Sequence, residues 1–218
     1  MSCGGGPLHA TALSRRTWLS DATFELELDR PAGFDFYPGQ GICLGEGRGE
    51  REYSLSSGRA EQRLALCIRR VENGPLSSWL AEVPVGQQLA LTGPHGFFTY
   101  QPSPRPAVFV ATGTGVAPFQ SMALSGCSGF TILHGARKAE ELYYGESLRA
   151  VALRYVPCLS AESAPGAFAG RVTDWARTNL APGSYDFYLC GRREMVRDMT
   201  SLVDGSFPGS RVYAEIFF

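Results

Sequence analysis

The chain changes rhythm near its middle. Between residues 8 and 93 the apolar positions alternate in short runs: Phe24, Leu26 and Leu28 in TFELELD, Ile42 and Leu44 in GQGICLGE, Leu64, Leu66 and Ile68 in RLALCIRRV, and Leu89 and Leu91 in QQLALTG. Such period-two runs, bounded by Gly, Pro, Asp or Ser, predict half-buried strands, and their spacing predicts a small antiparallel β-barrel. One helix, PLSSWLAEV, is expected to interrupt it. Three prolines within Gln101–Pro106 then favour an extended connector.

Beyond the connector, apolar strands at PAVFVAT, GFTILHG, RYVPCLS and YDFYLCG alternate with helical patterns at APFQSMAL, EELYYGESLRAVA, VTDWARTNL and REMVRDMTSLV, and RVYAEIFF adds a last strand. That alternation predicts βα units around a parallel sheet. The expected organisation is two domains, a barrel over 1–103 and an α/β domain over 104–218.

The first parallel strand breaks abruptly at Thr112-Gly113-Thr114-Gly115. Glycines let backbone approach a ligand closely, and Pro118 suits the first turn of a following helix. Free N–H groups and the positive end of the helix dipole would then favour an anion. The third glycine of the dinucleotide pattern GxGxxG is replaced by Pro118, and an ordinary βα turn would read the same way.

Composition narrows the field without naming a partner. The chain has 218 residues, 44% hydrophobic and 19% charged, with a formal net charge of -1. That balance offers no basic surface for nucleic acid. No apolar run reaches the roughly 20 residues of a membrane span, and MSCGGGPLHA lacks the apolar core of a signal peptide, so a cytoplasmic location is expected. The six cysteines (Cys3, Cys43, Cys67, Cys127, Cys158 and Cys190) are dispersed. Their spacing argues against a zinc site or a cysteine-held iron-sulfur cluster and predicts at least five reduced thiols.

Five short motifs follow one another in order: Arg51-Glu52-Tyr53-Ser54, Gly74-Pro75-Leu76-Ser77, Gly113-Thr114-Gly115-Val116-Ala117-Pro118, Cys190-Gly191 and Glu215-Ile216-Phe217. As an ordered set they resemble the ferredoxin-NADP reductase family, over nearly the whole chain. The residue types fit that chemistry, since tyrosine offers a flat ring, serine a small donor and arginine a permanent charge for phosphate.

The resemblance implies FAD in the barrel, with Tyr53 packed on the flavin ring, Ser54 near its reactive nitrogen, Arg51 at the pyrophosphate, and Gly74, Leu76 and Ser77 at a second anionic group. It implies NAD(P)H in the second domain, its pyrophosphate at Thr112, Gly113, Thr114, Gly115 and Pro118, with Cys190 and Gly191 beside the nicotinamide. Glu215 would assist positioning and proton supply, and Phe217 would shield the flavin, although the chain continues to Phe218. Gly93-Pro94-His95-Gly96-Phe97-Phe98 resembles a junction signature, expected as a tight turn with locally packed aromatics and a structural His95.

At the end of the second parallel strand stand Arg137 and Lys138, with Arg171 after the next strand. A basic pair suits a 2′-phosphate, yet the pattern is similar to NADH-using and NADPH-using relatives alike, so the nucleotide stays open. Without a cluster of its own, the chain is expected to pass electrons to a separate ferredoxin, flavodoxin or oxygenase component. A reductase releasing free reduced flavin, and an electron-transfer subunit of a larger complex, are the alternatives.

Overall fold

The computed structural model describes residues 6–45 and 49–217. Cys3 and Phe218 lie outside them. The first half contains β1 (Leu8–Ser20), β2 (Thr23–Asp29), β3 (Gly41–Leu44), β4 (Arg51–Ser54), β5 (Arg63–Arg69) and β6 (Gln88–His95), with helix α1 (Pro75–Leu80) between β5 and β6. The sheet order is β4-β3-β6-β1-β2-β5, every pairing antiparallel. A bridge from Leu55, just past β4, to Leu66 of β5 brings the two edges together. Closure of this kind removes exposed sheet edges and produces the expected barrel.

The strands follow the alternation in the sequence, because Phe24, Leu26, Leu28, Ile42, Leu44, Leu64, Leu66 and Ile68 all point into one buried core. Each such side chain contributes about 1.5–3 kcal/mol on burial. Leu76 and Leu80 of α1 join the same core. Strand β1 escapes the pattern. Its Leu8–Ala12 segment pairs with β6 and its Leu13–Ser20 segment with β2, with an irregularity between Leu13 and Arg15. A strand shared between two neighbours and bulged at the crossing does not keep one face inward throughout, so no single run of alternation marks it.

The second half contains β7 (Ala107–Thr112), α2 (Ala117–Leu124), β8 (Thr131–Ala136), α3 (Gly145–Val151), β9 (Arg154–Leu159), β10 (Phe168–Ala169), α4 (Val172–Asn179), β11 (Asp186–Arg192), α5 (Arg193–Ser206) and β12 (Arg211–Phe217). Its sheet is parallel in the order β10-β9-β8-β7-β11-β12. From β7 the chain first moves outward through β8 and β9, then returns to place β11 on the other side. The order therefore reverses between β7 and β11, and ligands of such sheets bind beyond the carboxyl ends of the strands at that reversal.

Helices α4 and α5 cover one face of this sheet, through Trp175, Met199 and Val203. The other face is covered by α2, α3 and the Phe98 and Tyr100 side chains ahead of the connector, where Phe109 stacks on Phe119 at 4.7 Å and Phe130 at 4.4 Å between ring centroids. Cys67 of the barrel joins this second core, so it also forms the junction between the halves.

The single helix expected over EELYYGESLRAVA is corrected. A short 3-10 turn spans Ala139–Glu141, Tyr144 takes a left-handed φ of 58°, and α3 begins only at Gly145. The break lets both tyrosines reach the barrel. Tyr143 Oη lies 2.9 Å from Ser20 Oγ, and Tyr144 Oη donates to Glu25 Oε2 at 2.7 Å. Cys67, Cys127, Cys158 and Cys190 are free thiols, whereas Cys43 is disulfide-bonded, so the expectation of reduced cysteines fails at that position.

Candidate functional site

The carboxyl ends of β7 and β11 carry the two glycine-bearing turns. After Thr112 the chain does not enter α2 directly but makes a 3-10 turn over Gly113–Val116, with Pro118 in the first turn of α2 behind it. Gly113 has φ +58°, and a Cβ placed on it would meet nothing within 4 Å, so its backbone faces open space. Gly115 is packed on the other side: a Cβ there would run into the carbonyl of Cys190. Gly191, at φ +138°, likewise leaves no space for a side chain beside Thr112. The turns are further tied by Arg192 N–H, which donates to Thr112 Oγ1 at 3.1 Å. Their sequence distance is large, yet glycine at both positions lets the backbones touch.

Parallel pairing of β11 with β12 sets Cys190 opposite Glu215. Ser54, the last residue of β4, reaches across from the barrel and donates to Glu215 Oε2 at 2.8 Å, while Cys190 Sγ lies 3.8 Å from the same oxygen. Serine, carboxyl and thiol from three strands thus converge where barrel and parallel sheet meet. Burial, aided by the charge of Glu52 and opposed by the hydrogen bonds from Ser54 and Cys190, brings the Glu215 carboxyl up to about 7. Burial, then the neighbouring Glu215 charge, hold the Cys190 thiol well above its ordinary value. The sulfur is therefore neutral, a polarisable contact surface and not a thiolate nucleophile.

Other expected residues do not join this cluster. Alternation along β4 sets Ser54 and Glu52 on one side and Tyr53 and Arg51 on the other. Tyr53 is half-buried against the barrel core, and burial pushes its phenol up to about 12. Arg51 is exposed, with its guanidinium 2.8 Å from the Glu50 carbonyl. Gly74 caps α1, Leu76 is buried in the barrel core, and Ser77 Oγ accepts the Val71 N–H at 3.1 Å. Arg137 is exposed beyond β8, and Phe217 packs on the junction core.

Two neighbours of Glu215 were not singled out from sequence. A Cβ on Gly96 would lie 3.8 Å from Glu215 Oε1 and 3.9 Å from Glu52 Oε1, so the two carboxyls flank this glycine. Glu52 was legible, since period-two alternation places it on the side of Ser54. Gly96 opens a groove of about 780 Å³ lined by Tyr37, Phe97, Tyr100 and Met122. In the junction turn, His95 Nε2 lies 3.1 Å from Thr92 Oγ1, in keeping with a structural role, and Phe98 packs on Phe119 and Tyr188. Phe97 departs from the expected local packing, being fully exposed.

These residues fit a flavin and a nicotinamide nucleotide. The backbone at Gly113 is open to a phosphate, the cluster supplies a proton-holding carboxyl beside an uncharged sulfur, and Tyr53 offers a ring whose face is only half covered.

Comparison with known proteins agrees. Residues 11–100 match the oxidoreductase FAD-binding domain and residues 109–201 the oxidoreductase NAD-binding domain. The chain is 34% identical to ferredoxin--NADP reductase B of Sorangium cellulosum, over 90% of this chain and 92% of that protein. It is 31% identical to the xylene/toluene monooxygenase electron transfer component of Pseudomonas putida, over 97% of this chain but 66% of the relative's length. Among solved structures, a ferredoxin NADP+ reductase from Neisseria gonorrhoeae with bound FAD and NADP superposes with a TM-score of 0.87 at 23% identity, covering 97% of this chain and 99% of that one. Amycolatopsis cytochrome P450 reductase GcoB superposes with a TM-score of 0.85 at 26% identity, covering 98% and 71%. Two matched domains in this order, and a relative of this identity along almost its full length, establish that the chain belongs to the ferredoxin-NADP reductase family of FAD- and NAD(P)-binding oxidoreductases.

Proposed function

We infer that the chain accepts a hydride from NAD(P)H at the Ser54–Glu215–Cys190 cluster and delivers electrons to a separate redox protein, a ferredoxin, flavodoxin or oxygenase component. The observation that carries this is the convergence of those three side chains at β11 and β12, beside the reversal point of the parallel sheet. FAD, when bound, supplies the chemistry the side chains lack, since it takes two electrons together and can release them singly.

The chain's own residues bind, orient and handle the proton. Arg51, with the α1 turn at Gly74, Leu76 and Ser77, would hold the FAD phosphates, and Tyr53 would offer its ring to the flavin. Thr112, Gly113, Thr114 and Gly115, backed by Pro118, receive the nucleotide pyrophosphate, with Gly191 letting its turn pack against Thr112 and Arg137 near the adenosine end. Phe217 covers the site from the end of β12. Cys190 keeps a small uncharged surface beside the nicotinamide. Ser54 Oγ orients Glu215, whose carboxyl retains its proton up to about pH 7 and so releases it near neutrality. Relatives named as electron transfer components and as ferredoxin reductases support a protein acceptor.

The test is anaerobic. Protein loaded with FAD should stay yellow through gel filtration, bleach with NADH or NADPH, and regain colour when ferredoxin, flavodoxin or an oxygenase component is added. A preparation that takes up no FAD, or one that bleaches with neither nucleotide, contradicts the reading. Loss of the flavin on the column, with free flavin reduced in solution, identifies a flavin reductase instead.

A further inference from the structure

Which nucleotide is used follows from the end of β8, given the function proposed above. In a sheet of this type, that position lies against the adenosine ribose, where an acid favours the free hydroxyl of NADH and a cation the 2′-phosphate of NADPH. Read linearly, Arg137 and Lys138 make the position basic. Folded, it is not.

Glu141 Oε2 accepts the N–H of Arg137 at 2.9 Å and of Lys138 at 3.2 Å, and Glu162 Oε1 accepts the N–H of Ala139. Left unpaired, these three N–H groups would be open to an anion. Here two carboxylates already occupy them. The loop after β9 that carries Glu162 is fastened in place, because Ser160 N–H donates to the Ala136 carbonyl and Ala161 N–H to the Arg137 carbonyl, both at 3.0 Å. Lys138 Nζ lies 3.6 Å from Glu140 Oε1. Arg171 caps α4 beside Asp174, whose Oδ2 accepts the Arg171 N–H at 3.3 Å. Arg137 and Lys138 therefore stand against three carboxylates, Glu140, Glu141 and Glu162, so the end of β8 offers no net positive charge to a phosphate dianion.

We propose that Glu141 and Glu162 make this chain select NADH over NADPH, Glu162 accepting from the ribose hydroxyls and both carboxylates repelling a 2′-phosphate. A carboxylate has two acceptor oxygens, so the bond to Ala139 leaves Glu162 a second one for a hydroxyl.

Two measurements test this on the full-length, FAD-loaded protein. The ratio of kcat/KM for NADH to that for NADPH should exceed about tenfold, a difference of about 1.4 kcal/mol. Independently of turnover, calorimetry should find 5′-AMP bound at least about tenfold more tightly than adenosine 2′,5′-bisphosphate. In Glu162→Gln, and more so with Glu141→Gln added, both ratios should fall toward one. A preference for NADPH, tighter binding of the bisphosphate, binding of neither probe, or ratios unmoved in Glu162→Gln would each overturn the proposal. Failure of both nucleotides to bleach the flavin would instead count against the function proposed above, while the two binding probes would still decide the nucleotide selectivity.

Discussion

At the scale of single residues, the Glu215 carboxyl is set by opposing neighbours. Burial and the Glu52 charge raise its pKa, and the Ser54 hydroxyl lowers it. Ser54→Ala should therefore move its titration above about 7, and Glu52→Gln should move it below, both read by carbon NMR of the labelled carboxyl; a midpoint unmoved in both variants would contradict the arrangement. The same shift links to stability. A carboxyl whose folded pKa is about 7, against an ordinary value of 4.5, binds more protons folded than unfolded between those limits. The apoprotein should thus lose stability as pH rises through that window, by up to about 3 kcal/mol from this group. Glu215→Gln should flatten that slope in urea denaturation, and an unchanged slope would show that other groups cause it. Ser54, Cys190 and Glu215 were each legible from their motifs, but their shared oxygen was not, because no sequence pattern records which side chains from three separate strands meet.

At the scale of elements, the site is made by two turns whose backbones touch. The Cβ of Gly115→Ala would meet the Cys190 carbonyl, which neither element can move away from without breaking strand pairing. That variant should lose about 1–3 kcal/mol of stability and bind NAD(P)H more weakly, seen by thermal denaturation and nucleotide titration. Wild-type behaviour would mean the turns are less closely packed. Most elements could be read from the chain: β2 coincides with TFELELD and α2 with APFQSMAL. The misses have physical causes. Strand β1 serves two partners and bulges between them, β10 is only Phe168–Ala169, and the helical pattern across Tyr143 and Tyr144 yields to tertiary bonds made with the barrel. Local periodicity carries no information about such distant partners.

At the scale of the molecule, the proposed activity requires the barrel to be held against the parallel sheet so that Ser54 reaches Glu215. Tyr144 is one of the polar fastenings: its Oη donates to Glu25, whose carboxyl burial pushes upward and this hydrogen bond draws back. Tyr144→Phe should cost about 1–3 kcal/mol by leaving Glu25 without that donor, and should slow flavin reduction although Tyr144 is remote from the cluster. An unfolding curve and a reduction rate both matching wild type would show the junction to be held by its apolar core alone. Among the described residues, no helix is long and apolar enough to cross a membrane.

The rate of anaerobic flavin bleaching in Cys190→Ala, compared with wild type at saturating nucleotide, probes most directly whether hydride arrives between Ser54 and Cys190. The variant should keep its bound FAD and oxidised absorption spectrum but bleach at least about tenfold more slowly, a rise of about 1.4 kcal/mol in the barrier. Bleaching at the wild-type rate, with FAD equally well bound, would place the reacting centre elsewhere.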